Sequence, residues 1–220
     1  MKTTIRFALT LMMTAVLSSQ SANAQETKTT GDAAAGHKKA AMCIGCHGIV
    51  GYQASFPQVY KVPMISGQGP EYIVAALTAY RSGERKHPTM RAIAGSLTDQ
   101  DLADLGAYYG NHKAAAVGSV PQPSAEVAAL LKKGNCASCH GESFNKPIAG
   151  SYPKLAGQHP DYLYAALTAY QTENNPAMGR GNAIMAAQVK PFTHQELKAI
   201  AGYIGSLPSE LTIVSNAKFR

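Results

Sequence analysis

Outside two five-residue motifs the sequence has no cysteine: its four thiols are Cys43, Cys46, Cys136 and Cys139. None is left for a separate disulfide, a further metal site or a nucleophile. Lysine and arginine form no dense run of the kind that tracks phosphates, which argues against nucleic-acid binding despite a formal charge of +7. No Gly-x-x-x-x-Gly-Lys loop accompanies the glycine-rich segments, so nucleotide chemistry is not implied. Past residue 24 no stretch is long and apolar enough for a transmembrane helix. Apolar and polar residues nowhere alternate convincingly, so no sheet is predicted.

The first residues read as an export signal. Lys2 and Arg6 are basic, Phe7 to Leu17 is mostly apolar, and Ala22-Asn23-Ala24 fits an A-x-A cleavage site before Gln25. The apolar run is shorter than the ~20 residues that span a bilayer, so residues 1–24 are expected to be removed rather than to anchor the chain. Their loss takes two cations and no carboxylate, and the formal charge falls from +7 to +5. Peripheral membrane association is compatible with that charge. Gln25 to Thr30 is short and polar, a flexible lead-in.

What the chain does contain is Cys43-Ile44-Gly45-Cys46-His47 and, later, Cys136-Ala137-Ser138-Cys139-His140. A zinc ribbon would use four thiolates but would need neither a histidine after each second cysteine nor a separation of ~90 residues. A thioredoxin-like site would sit in a βαβ pattern, which is absent. Cys-x-x-Cys-His is the signature of covalent haem attachment: two thiols on one helical turn add to the porphyrin vinyl groups, and the adjacent histidine becomes the proximal ligand. Two covalently bound haem c groups are expected, held by Cys43, Cys46, Cys136 and Cys139 and ligated by His47 and His140. Their four propionates would bring the charge near +1.

The motifs belong to an internal duplication. Gly67-Gln68-Gly69-Pro70-Glu71-Tyr72 returns as Gly157-Gln158-His159-Pro160-Asp161-Tyr162, and Ala75 to Tyr80 returns unchanged as Ala165 to Tyr170. Each half reads as three main helices, so the fold class is all-α. The first helix runs from Asp32 through His47, or from Ser124 through His140, behind an N-cap residue. The second starts at Pro70 or Pro160. The third starts at Thr98 or Thr193; Thr193-His194-Gln195-Glu196 is a capping box, followed by Leu197, Ile200, Ala201 and Ile204 at helical spacing. Domains are expected at 31–112 and 123–208, with a Pro/Gly/Ala-rich linker at 113–122 and a tail at 209–220. Domains this short bury a limited core, so an enclosed haem would hold each together and the apoprotein should be poorly folded.

The other face of each iron decides between electron transfer and ligand chemistry. Five methionines follow the signal: Met42, Met64, Met90, Met178 and Met185. Only Met90 and Met185 are repeat equivalents, lying seven residues before Leu97 and Phe192. They are the candidate distal ligands; the other three read as packing methionines. His37, His87, His112, His159 and His194 have no histidine at the equivalent position and read as ordinary surface or loop residues. Tyr72, Tyr80, Tyr162 and Tyr170 are expected to pack on haem or helix, with hydroxyls that reach a propionate.

An export signal, two Cys-x-x-Cys-His halves, Gly-Gln-x-Pro-x-Tyr before an Ala-Leu-Ala-Tyr helix, and a methionine ahead of a Thr-capped helix together resemble the dihaem cytochrome c4 family. The likeness covers nearly all of Asp32 to Leu207. It implies two tandem class I cytochrome c domains about a pseudo-twofold axis, with haems close enough for electron exchange. It also implies a carrier rather than an enzyme, passing single electrons in the bacterial periplasm between respiratory partners, typically a quinol-oxidising complex and a terminal oxidase. Met178 and Met185 share the second ligand loop, and in the family the later one is usually the ligand. The rival is a dihaem peroxidase or another haem oxidoreductase with one open iron.

Overall fold

The computed structural model describes residues 29–112 and 114–215. The expected signal peptide, Lys113 of the linker and the end of the tail lie outside the described residues. The architecture is all-α, with ten helices and four two-residue strands among those residues. In the first half run α1 (Ala33–Lys39), α2 (Ala41–His47), α3 (Pro70–Ser82), α4 (Pro88–Gly95) and α5 (Asp99–Gly110). The second half has α6 (Ala125–Lys133), α7 (Cys136–His140), α8 (Pro160–Ala169), α9 (Ala183–Val189) and α10 (His194–Ser206).

The starts of the two longer helices in each half follow local chemistry. Pro70 and Pro160 occupy the first turns of α3 and α8, where a missing N–H costs nothing. Thr98 and Thr193 close capping boxes with Asp101 and Glu196 at the heads of α5 and α10. The single helix expected from Asp32 through His47 is instead broken at Ala40, whose ψ is −7° and whose N–H is shared between Gly36 and His37 carbonyls. Its counterpart breaks at Gly134 and Asn135, the latter in the left-handed region at φ 46°, a conformation asparagine tolerates better than most side chains. The expected three helices per half become five, because α4 and α9 also fold where loops were expected.

Two small antiparallel pairs, also unexpected, join segments too short to show a period. Strand β1 (Gln53–Ala54) pairs β2 (Tyr60–Lys61), and β3 (Arg85–Lys86) pairs β4 (Gly179–Arg180) across the halves. Gly181 N–H extends that ladder to the Glu84 carbonyl at 2.8 Å. The tail also contributes: Ser66 bridges Thr212, and Leu211 is buried. Residues 114–124 hold no helix or strand.

Each half has its own apolar centre. In the second, Leu130, Leu163, Phe192, Leu197, Ile200 and Ile204 lie in a cluster of eleven buried residues; in the first, Ala40, Ile44, Ile73, Leu105 and Tyr109 form a cluster of five. Ile73, Leu105 and Tyr109 of that cluster border a cavity. Close backbone approach fixes the frame: a Cβ on Gly110 would lie 2.6 Å from Pro70 Cγ, and one on Gly205 2.5 Å from Pro160 Cγ. At each spot the proline that starts one helix, α3 or α8, rests on a glycine near the end of the last helix of its half, α5 or α10.

Candidate haem sites

Cys43, Cys46 and His47 sit together on α2 and face a cavity of about 290 Å³. Ile73, Leu77, Leu105 and Tyr109 supply apolar wall, and Met90 lines it as well. The four thiols are free and make no disulfide. In the second half, Cys136, Cys139 and His140 form α7, and Cys136 and Met185 both pack on the second core cluster. In the first half Cys43, Cys46, His47 and Met90 therefore line one cavity; in the second, Cys136 and Met185 share the neighbourhood of one core cluster.

Each histidine is oriented through one ring nitrogen. His47 Nδ1 lies 2.8 Å from the Pro63 carbonyl and His140 Nδ1 lies 3.1 Å from the Pro153 carbonyl. A carbonyl only accepts, so Nδ1 carries the proton and Nε2 keeps its lone pair, the tautomer an axial ligand requires. Burial lowers the pKa of both imidazoles, against the smaller opposing pull of the carbonyls. Both stay neutral at neutral pH.

The two matched methionines occupy the same local position. Met90 is the third residue of α4 and Met185 the third of α9. Met90 N–H donates to His87 Nδ1 at 3.3 Å, and Met185 N–H donates to Asn182 Oδ1 at 3.0 Å. His87 is thus the N-cap of α4 and lines the cavity, rather than being an ordinary surface histidine. Met42 and Met64 also line the cavity. Met42 is 52% exposed, and Met64 follows Pro63 on the histidine side. Met178 lines a smaller pocket between the halves, with Tyr60, Tyr162 and Arg180.

The sequence reading missed two arginines. Arg85 and Arg180 face each other across the β3–β4 pair. Arg85 donates to the Tyr72 hydroxyl at 3.2 Å and stacks over Tyr72 and Tyr80, while Arg180 donates to the Tyr162 hydroxyl at 3.0 Å and stacks over Tyr162 and Tyr170. These partners are phenols, not carboxylates. Burial pushes the Tyr72 hydroxyl up to about 12, so it keeps a proton to donate while accepting from Arg85. Burial opposes ionisation of Tyr162 too, but Arg180 and Arg85 outweigh it and draw that hydroxyl down. A signal was present: Arg85 and Arg180 share the register of Met90 and Met185.

A group that fits this frame must be flat, mostly apolar, able to accept two thiols and a neutral imidazole nitrogen, and acidic at the edge that meets the arginines. Haem has those properties, and the residues present fit it. The fold and site define a tandem cytochrome c with two covalent haem c groups. The Cytochrome c family model matches residues 124–208. The chain is 31% identical over 184 residues to cytochrome c4 of Pseudomonas aeruginosa, covering 80% of this chain and 89% of that protein. The crystal structure of reduced cytochrome c4 from Pseudomonas stutzeri superposes with a TM-score of 0.61 at 28% identity, covering 81% of this chain and all of that one. A protein of Stutzerimonas stutzeri described as a thiosulfate dehydrogenase electron acceptor is 28% identical over 89% of this chain and 91% of its own length. The chain belongs to the cytochrome c4 family, and it is a dihaem electron-transfer cytochrome of class I fold.

Proposed function

We propose that this chain is exported through cleavage before Gln25 and works in the periplasm, carrying single electrons from a quinol-oxidising complex to a terminal oxidase. The observation that carries the carrier reading is the closure of the first site: Met90 lines the same cavity as Cys43, Cys46 and His47. When bound, the haems supply reversible one-electron ferric/ferrous chemistry. Cys43 with Cys46, and Cys136 with Cys139, hold them by thioether links. His47 and His140 present Nε2 to the metal, with Nδ1 fixed by the proline carbonyls. Met90 and Met185 would be the further protein ligands of the haem irons, a set that favours reduced iron and excludes water and peroxide. Arg85 and Arg180, with Tyr72 and Tyr162, would hold the haem propionates and offset their charge.

Domains at 31–112 and 123–208 joined at 113–122 suit this reading, since each then contains one complete ligand set. Partner contact is brief and small, below ~1,200 Å² in total as for other redox encounters. The relative described as a thiosulfate dehydrogenase electron acceptor favours a second donor, a sulfur-compound dehydrogenase, with the same carrier chemistry. Carbon monoxide added to the reduced protein tests the proposal. Two closed irons bind it slowly and incompletely; rapid binding at one haem would move the protein to the peroxidase class.

A further inference from the structure

Two glutamines cross the boundary between the halves in opposite directions. Gln68 and Gln158 are equivalent in the duplication, and each is 3% exposed. Gln158 Oε1 accepts from Met64 N–H at 3.0 Å, and its Nε2 donates to Met64 O at 2.9 Å. Gln68 Oε1 accepts from Lys154 N–H at 2.8 Å, and its Nε2 donates to Lys154 O at 2.9 Å. Met64 and Lys154 are themselves equivalent, so the two clamps are related as the halves are.

The residue each clamp selects is what matters. Met64 N–H belongs to the same peptide group as the Pro63 carbonyl, the acceptor for His47 Nδ1 at 2.8 Å. Lys154 N–H belongs to the same peptide group as the Pro153 carbonyl, the acceptor for His140 Nδ1 at 3.1 Å. A hydrogen bond accepted from a peptide N–H polarises that peptide and makes its carbonyl oxygen more negative. The carbonyl then pulls harder on the imidazole proton, and Nε2 becomes a more basic ligand. A more basic axial nitrogen favours ferric iron.

We propose that Gln68 and Gln158 are crossed positioning residues: each glutamine tightens the proximal histidine's hydrogen bond in the opposite half and so holds down the reduction potential of the haem there. The proposal rests on His47 and His140 being the axial ligands. It makes the boundary between the halves part of each redox centre, so separating the halves changes both potentials without altering either ligand set.

The test uses the intact holoprotein with Gln158→Met and Gln68→Met, which keep side-chain length and remove the carboxamide. Each haem's potential is followed separately through its haem-methyl NMR resonances during a redox titration. Gln158→Met should raise the potential of the His47 haem and leave the His140 haem in place; Gln68→Met should do the reverse. Gln158→Asn and Gln68→Asn, which withdraw the carboxamide by one methylene but stay polar, should give the same crossed pattern, and they serve if a Met variant does not fold. An equal shift at both haems, a shift confined to the variant's own half, or no shift while both haems keep methionine-to-iron absorption would overturn the proposal. An unmodified protein lacking that absorption, or whose haem ligands prove not to be His47 and His140, would overturn the ligand reading beneath it.

Discussion

Two imidazoles, His47 and His140, each commit one ring nitrogen to a proline carbonyl and reserve the other, while Met90 and Met185 are set at the third position of a capped helix. Met90→Ala and Met185→Ala should each remove about half of the methionine-to-iron absorption and lower the potential of one haem; an undiminished band in Met185→Ala would shift the assignment to Met178. Arg85→Leu should lower the potential of the neighbouring haem, because a partly desolvated cation that favours the ferrous state is lost. A redox titration against the unmodified protein checks this. Cysteine, histidine and matched methionine were legible in the sequence because duplication repeats the chemistry in register. Arg85 and Arg180 repeat in the same register, yet their purpose was hidden: it depends on a strand pair between the halves that two residues on each side cannot announce.

At the scale of elements, helix starts carried visible signals and the interruption in the first half did not. Pro70, Pro160, Thr98 and Thr193 each act through their own side chains or rings, so the residue type alone marks the turn. The break at Ala40 carries no residue-type signal, since alanine is an excellent helix former, whereas the break in the second half falls on Gly134 and Asn135, residues suited to ending a helix. Helices α4 and α9 have eight and seven residues, too few to display a period. Gly205→Ala should destabilise the second half by about 1–3 kcal/mol through overpacking against Pro160, seen as a lower melting temperature of the holoprotein. In the first half, Asp104 is buried and accepts from Asp32 N–H, Lys39 and Gln100. The Asp32 backbone bond, then Lys39, holds its carboxyl below the ordinary range. A depressed carboxylate stabilises the fold above its unfolded pKa and loses that contribution as pH falls through the folded value. Asp104→Asn should therefore weaken the protein at neutral pH and flatten its stability profile below about pH 4, as followed by helix content during acid titration.

Across the whole molecule, the two halves are tied by the β3–β4 pair, the Ser66–Thr212 bridge and the reciprocal glutamine clamps. Duplication was readable from the repeat offsets, but these contacts were not, because their partners lie far apart in the chain and carry no shared local pattern. The core cluster beside the cavity of the first half has five buried residues, so haem-free chain should lose native helix content and its cooperative melt. Circular dichroism of the apoprotein checks that expectation. The central claim is that each half holds one haem whose iron is closed by a methionine. A stoichiometric reductive titration of the purified protein, followed by visible absorption, tests it most directly: two haems and two electrons per chain are expected, with methionine-to-iron absorption from both oxidised centres. One haem per chain, or one centre that is high-spin and open, would contradict it.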